Sequence, residues 1–199
     1  MTEGTASVPR GAGTPSTVKL LGFAGSLREG SYNRAALRVA AGVLPAGVTM
    51  EIFDLAPIPL YNEDVRAAGL PAPVQRFRGE IAAADALLVV TPEYNYSVPG
   101  VLKNAIDWVS RPPDQPFAGK PVAVMGASGG GFGTVRAQLH LRQIFVFLDM
   151  HPLNRPEVMI SSAGKRFDAE GNLTDETTRA RIAELVEALA AFTRRLRGY

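Results

Sequence analysis

Five short runs of nearly unbroken apolar character alternate with longer segments of helical periodicity, and that alternation leaves few folds open. The runs are residues 18–24, 48–53, 86–90, 121–125 and 157–160. A strand with helices packed on both faces reads as a continuous apolar run, whereas a half-exposed strand alternates. Between the runs, a helix over 33–43 has Ala35, Leu37, Ala40 and Ala41 available for burial, and a second helix is expected over 73–84. Val101, Leu102, Ala105, Ile106 and Val109 mark a third, started by Ser97 or Pro99 and closed before Pro112-Pro113. A fourth spans about 134–147, and the last carries Ile182, Leu185, Val186, Leu189 and Phe192. Ser31 is a ready cap for the first helix, and Thr174 or Asp175 for the last.

Strands and helices in this order call for an α/β three-layer sandwich, a five-stranded parallel sheet covered on both faces. The expected strand order is the flavodoxin-like 2-1-3-4-5, although alternation alone does not dictate order. Residues 1–16, rich in Gly, Thr, Ser and Pro without periodicity, read as a flexible N-terminal tail, and 17–199 as one domain. Hydrophobic residues make up 46% and charged residues 20%, enough to build a core and too apolar for global disorder. No apolar run approaches the ~18 residues of a membrane span, and the N-terminus lacks the apolar core of a secretory signal, so a cytoplasmic protein is expected. Cysteine is absent, which removes disulfides, thiolate nucleophiles and cysteine-based metal sites. The net charge is only +2, and the one basic cluster, Arg194-Arg195-Leu196-Arg197, sits at a helix end where the dipole favours cations. Nucleic-acid binding is therefore not expected.

In a sheet of this order the loops after strands one, three and four converge on one crevice. Here they are residues 25–33, 91–99 and 126–133, the segments richest in polar groups and glycine. The first brings Ser26, Arg28, Ser31 and Asn33 to a helix start, a phosphate-binding collection because free N–H groups and the helix dipole hold an anion while a guanidinium adds charged bonds. It has neither a G-x-x-x-x-G-K-[ST] nor a G-x-G-x-x-G pattern, which disfavours nucleoside triphosphates and a dinucleotide fold. The second sets Glu93, Tyr94, Asn95 and Tyr96 between Pro92 and Pro99, a stiff loop that can aim N–H groups at a planar ligand's polar edge and lay a tyrosine on its face. Asn104 on the following helix is placed to brace that loop, Lys103 and Asp107 to pair, and Trp108 to enter the core or a subunit contact. The third loop has glycine enough to bring backbone close to a ligand, with Arg136, Gln138 and Arg142 beyond it.

Other chemistries lack their parts. His140 and His151 have no partners at metal-ligand spacing, so no metal site is expected. Residues 126–130 match G-x-S-x-G only loosely, and no acid and histidine follow Ser128 convincingly, so a hydrolase is disfavoured.

Taken together, residues 25–33, the stretch from Thr91 to Trp108, and 126–133 with Arg136 and Gln138 resemble the NADPH-dependent FMN reductase family, including its quinone and chromate reductases. The likeness spans roughly 18–195 and is most specific in its second stretch. It implies a flavodoxin-like fold with non-covalently bound FMN and NADPH or NADH as hydride donor. Ser26, Arg28, Ser31 and Asn33 would take the phosphate-binding places, Pro92, Glu93, Tyr94, Asn95 and Tyr96 would line the flavin, and Ser128 and Gly129 would approach from the third loop. Hydride would pass through flavin N5 to a quinone, free flavin or similar small acceptor, so that no protein nucleophile is required. The resemblance also implies a homodimer or homotetramer with flavin close to a subunit interface. Thr134 stands where many relatives have glycine, which puts the local turn in question. The competing reading is a flavodoxin-type electron carrier or FMN-binding module that does not oxidise NAD(P)H directly.

Overall fold

The computed structural model describes residues 17–113 and 115–198. Strand β1 (Val18–Ala24) leads to helix α1 (Tyr32–Gly42), followed by β2 (Val48–Phe53), α2 (Glu63–Ala68), α3 (Ala72–Ala83) and β3 (Ala86–Val90). Then come α4 (Gly100–Val109), β4 (Pro121–Ala127), α5 (Val135–Phe147), the short strands β5 (His151–Pro152) and β6 (Val158–Ile160), and α6 (Glu176–Arg197). Every pairing is parallel, in the order β2-β1-β3-β4-β5, with β6 also on β4. The order is the expected flavodoxin-like one.

Successive side chains of a strand point to opposite faces, so each central strand feeds two cores. Leu20, Leu88, Val90 and Met125 pack with Leu37, Ile182, Leu185 and Leu189 beneath α1 and α6. Leu21, Phe23, Leu87, Val89 and Val124 pack with Phe77, Ile81, Leu102, Trp108 and Phe145 beneath α3, α4 and α5. All five residues of β3 are buried. Each fully buried aliphatic or aromatic side chain contributes roughly 1.5–3 kcal/mol, which fixes the strand ends that carry the loops.

The fold departs from expectation in three places. The fifth strand is two pieces, β5 on Pro121 and Val122 and β6 on Met125 to Ala127. The intervening chain carries Pro156, which has no N–H for a ladder. Pairing with β6 also carries β4 two residues past the expected end, to Ala127. Helix α2, capped by Asn62 through the Asp64 N–H at 2.8 Å, follows the proline-rich loop after β2 and buries no residue, so it left no apolar periodicity to read. Finally, Asn104 braces a different loop from the one expected. Its Oδ1 accepts from the Tyr61 N–H (2.8 Å), and its Nδ2 donates to the Pro59 carbonyl (2.8 Å), which also accepts from Trp108 Nε1 (2.7 Å). The expectation for residues 1–16 lies outside the described residues.

Candidate functional site

The first loop leaves β1 beside the end of β3, where the Gly25 N–H donates to the Val90 carbonyl at 2.9 Å. Ser31 caps α1, its Oγ accepting from the N–H groups of Asn33 (3.2 Å) and Arg34 (3.4 Å). The Asn33 side chain is committed internally: its Nδ2 donates to the Ala127 carbonyl (2.9 Å), and its Oδ1 accepts from the Ala127 N–H (2.8 Å). It thus ties α1 to the start of the third loop. Ser26 is buried, while Arg28 is exposed with its guanidinium 5.8 Å from the Tyr32 ring centroid and no ion pair among the described residues.

In the second loop, Tyr94 and Ser97 exchange both backbone hydrogen bonds (3.1 and 3.0 Å) around Asn95 and Tyr96. Their φ angles are 50° and 67°. A two-residue turn with both central residues left-handed matches the twist of a hairpin, and glycine or asparagine usually occupies it. Asparagine tolerates this conformation, but for tyrosine it costs on the order of 1–2 kcal/mol. The Tyr96 ring is 68% exposed, so burial does not offset that cost.

What holds the turn is Glu93. One carboxylate oxygen accepts from the N–H groups of Arg136 (2.9 Å) and Ala137 (3.3 Å), and the other accepts from Arg136 Nε (2.5 Å) and its terminal nitrogen. Thr134 precedes α5 without a side-chain cap bond, so a carboxylate from another loop caps this helix, an arrangement worth roughly 0.5–2 kcal/mol. Burial pushes the Glu93 carboxyl up, but the Arg136 side chain and the N–H groups of Ala137 and Arg136 outweigh it and hold the group below the usual carboxylate range. The pinned Arg136 guanidinium lies 3.7 Å from the Tyr96 ring centroid and 5.4 Å from that of Phe132.

The third loop is fastened to the chain after β6. The Ser128 N–H donates to the Ile160 carbonyl (2.9 Å), and the Ser162 N–H donates to the Gly130 carbonyl (3.0 Å). Ser128 Oγ accepts from the Gly130 N–H (3.0 Å) and has no histidine partner among the described residues, whereas His140 Nδ1 lies 3.0 Å from Ser97 Oγ. No nucleophile elbow is therefore assembled there. Gly133 has φ 62°, and a Cβ on it would lie 3.0 Å from the Met159 backbone. Thr134 does not disturb the turn: its φ is −128°, which any residue adopts, and its buried Oγ1 accepts from Gln138 Nε2 at 3.0 Å.

Between the second and third loops lies a cleft of about 350 Å³, lined by Glu93, Asn95, Tyr96, Ser128, Phe132 and Arg136 with the loop glycines. Of the expected residues, it gathers Glu93, Asn95, Tyr96 and Ser128. Ser26, Arg28 and Ser31 stand apart on the first loop, Pro92 is buried, and Tyr94 and Gly129 are exposed without lining the cleft. A larger recess of about 700 Å³ lies between β6 and α6, and none of the three loops lines it. Two of its three arginines are paired, Arg166 with Asp175 (2.8 Å) and Arg181 with Glu184 (3.5 Å), and the convergence of loops, not volume, marks the site.

The sequence profile of the NADPH-dependent FMN reductases matches residues 18–165. The chain belongs to that family. Among its relatives, an NAD(P)H-dependent FMN reductase of Pseudomonas aeruginosa is 63% identical over 181 residues, covering 91% of this chain and 98% of the relative. An NADPH:quinone oxidoreductase of Arabidopsis thaliana is 44% identical over 187 residues, covering 91% and 94%. The solved structure of FerB, a flavoenzyme NAD(P)H:(acceptor) oxidoreductase from Paracoccus denitrificans, superimposes with a TM-score of 0.81 at 33% identity, covering 90% of this chain and 98% of that one.

Membership in the FMN reductase family makes this chain a flavin-dependent oxidoreductase working with FMN and NAD(P)H. The loops suit such a cofactor. Among the described residues, the N–H groups of residues 26–30 donate to no protein acceptor, and an anion is what such a row at a helix start lacks. At Gly129 and Gly131, a Cβ would meet nothing within 4 Å, so the third loop leaves open space beside its backbone.

Proposed function

We propose that this reductase holds FMN across the three loops and passes hydride from NADPH or NADH to a quinone, free flavin or similar small acceptor. The observation that carries this is the pairing of two unlike surfaces at one sheet edge, a row of N–H groups and an arginine without partners among the described residues, and a rigid aromatic hairpin facing a glycine loop. Ser26, Arg28, Ser31 and the free N–H groups take the phosphate. Asn33 serves by tying α1 to the end of β4. Pro92, Tyr94, Asn95 and Tyr96 form the wall at the ring, with Ser128 and Gly129 opposite. Glu93, its carboxylate turned to Arg136, serves by placing that wall. Bound FMN supplies the hydride chemistry at N5, and no side chain is assigned as a catalytic residue. N–H groups of Asn95 and Tyr96, fixed by the hairpin, favour negative charge at the ring's polar edge.

The finer assignments follow from the same reading. Residues 17–199 act as one FMN-binding domain in the cytoplasm, without nucleic-acid or membrane partners. Val146 (78% exposed) and Phe147 (82%) on α5 support a homodimer or homotetramer, as does the apolar recess of about 600 Å³ between α4 and α5. Among the described residues, no helix is long and apolar enough to cross a membrane.

The test is visible absorption of the purified protein followed by anaerobic mixing with NADPH. A bound flavin that bleaches rapidly is expected. A flavin that stays oxidised would mark an electron carrier, and a protein that takes up no FMN would overturn the proposal. Steady-state specificity constants for NADPH and NADH against quinone, FMN, azo dye and chromate then name the acceptor and the donor.

A further inference from the structure

We infer that Glu93 and Arg136 are positioning residues that hold Tyr96 in its left-handed conformation and thereby set the width of the cleft between the hairpin and the glycine loop before any ligand binds. The inference rests on the reading of that cleft as the flavin-ring site.

The geometry forms a closed chain. Glu93 stands immediately before the hairpin, and Arg136 is in the first turn of the helix that follows the glycine loop, so their pair joins the two walls of one cleft. The Glu93 side chain is only 7% exposed and is held by two backbone N–H groups besides the guanidinium, so it forms a fixed anchor. Arg136 cannot swing away while its Nε donates to that carboxylate, and its flat face meets Tyr96. Tyr96, in turn, occupies a backbone conformation that its side chain disfavours and that its exposed ring does not compensate. The clamp therefore acts on the one strained residue of the cleft lining and leaves the apolar core alone. A guanidinium is needed because only a planar cation can hold a carboxylate oxygen with two N–H groups at its edge while its face stacks on a ring.

The decisive variant is Arg136→Lys, which keeps the charge for Glu93 and the backbone N–H bonds that cap α5, but presents no plane to Tyr96. In the apo-protein, amide hydrogen exchange at Tyr94 and Ser97 should quicken about fivefold, the loss of one exposed cation–π contact, while exchange in the first turn of α5 stays unchanged. In the holoenzyme, FMN affinity, followed by flavin fluorescence, should weaken by about the same factor, with the melting temperature falling by only about 2–4 °C. Tyr96→Gly removes the strain, since glycine accepts φ 67° freely, so adding Arg136→Lys to it should leave hairpin exchange and FMN affinity where Tyr96→Gly alone puts them. Hairpin exchange in Arg136→Lys within twofold of the wild type, or an undiminished effect in the Tyr96→Gly background, would overturn the inference. The exchange measurement needs no flavin, so its failure is distinct from a failure of wild-type protein to be bleached by NADPH.

Discussion

At the rim where the strands begin, Asp85 Oδ2 accepts the Lys19 N–H at 2.7 Å, and its other oxygen pairs with Arg197 of α6. Lys120, also buried, donates to the carbonyls of Ala82 (3.0 Å) and Ala84 (2.5 Å) at the end of α3. At the opposite rim, among the described residues, Arg28 has no ion pair and residues 26–30 leave their N–H groups free, and Tyr96 and Phe132 are exposed. Both rims contain charges in a partly dry setting, but the first satisfies its charges with its own chain. The second leaves groups wanting a ligand, and the Glu93–Arg136 pair beside them orients the cleft wall instead of closing the gap.

The contrast is broken most forcefully by Asp85→Ala, which takes the acceptor from the part-buried Lys19 N–H and removes one partner of Arg197. Unfolding in urea should show a loss of about 2–4 kcal/mol, from one unsatisfied N–H and one partly exposed ion pair, with FMN affinity per folded molecule unchanged. A parallel loss of affinity would mean that the two rims are not independent. The converse variant, Arg28→Ala, should weaken FMN binding by roughly 1.5–3 kcal/mol in a fluorescence titration while leaving urea stability within about 0.5 kcal/mol. Near-normal affinity would remove Arg28 from the phosphate site.

The smallest effects are in pH. Glu93 has its pKa lowered in the fold, so its contribution to stability is present above the unfolded carboxyl value of 4.5 and lost as pH falls through the folded value. Lys120 is also lowered, by burial first and then by Arg197, against the pull of Asp85. Between its folded value and 10.5 the unfolded chain binds more protons, so stability rises with pH there. Denaturation across pH should show Glu93→Gln flattening the acid limb and Lys120→Met the alkaline one. An unaltered profile in either variant would remove that group from the pH dependence.

The sheet was legible because burial on both faces writes itself into consecutive residues, as in Ala86 to Val90. The convergence of the three loops followed from strand order. The connections that organise the site left no local mark, since Glu93 meets Arg136 across 43 residues and Asn33 meets Ala127 across 94. Arg136 appeared in the sequence only as one of several helical cations, because the carboxylate that gives it a purpose lies on another loop. The split of the fifth strand was likewise hidden, since a two-residue strand carries too little apolar pattern to register.

The close approach at Gly126 bears on how such a site can change. A Cβ there would lie 2.1 Å from Thr134 Oγ1 and 2.2 Å from the Thr91 carbonyl oxygen. Trimming Thr134 to glycine removes only the first obstacle, because the second belongs to the main chain. Position 134 can accept glycine at the cost of the Gln138 hydrogen bond, while position 126 has no neutral route away from glycine. Two adjoining sites thus have unequal evolutionary freedom, and a library that randomises both would recover variation at only one of them.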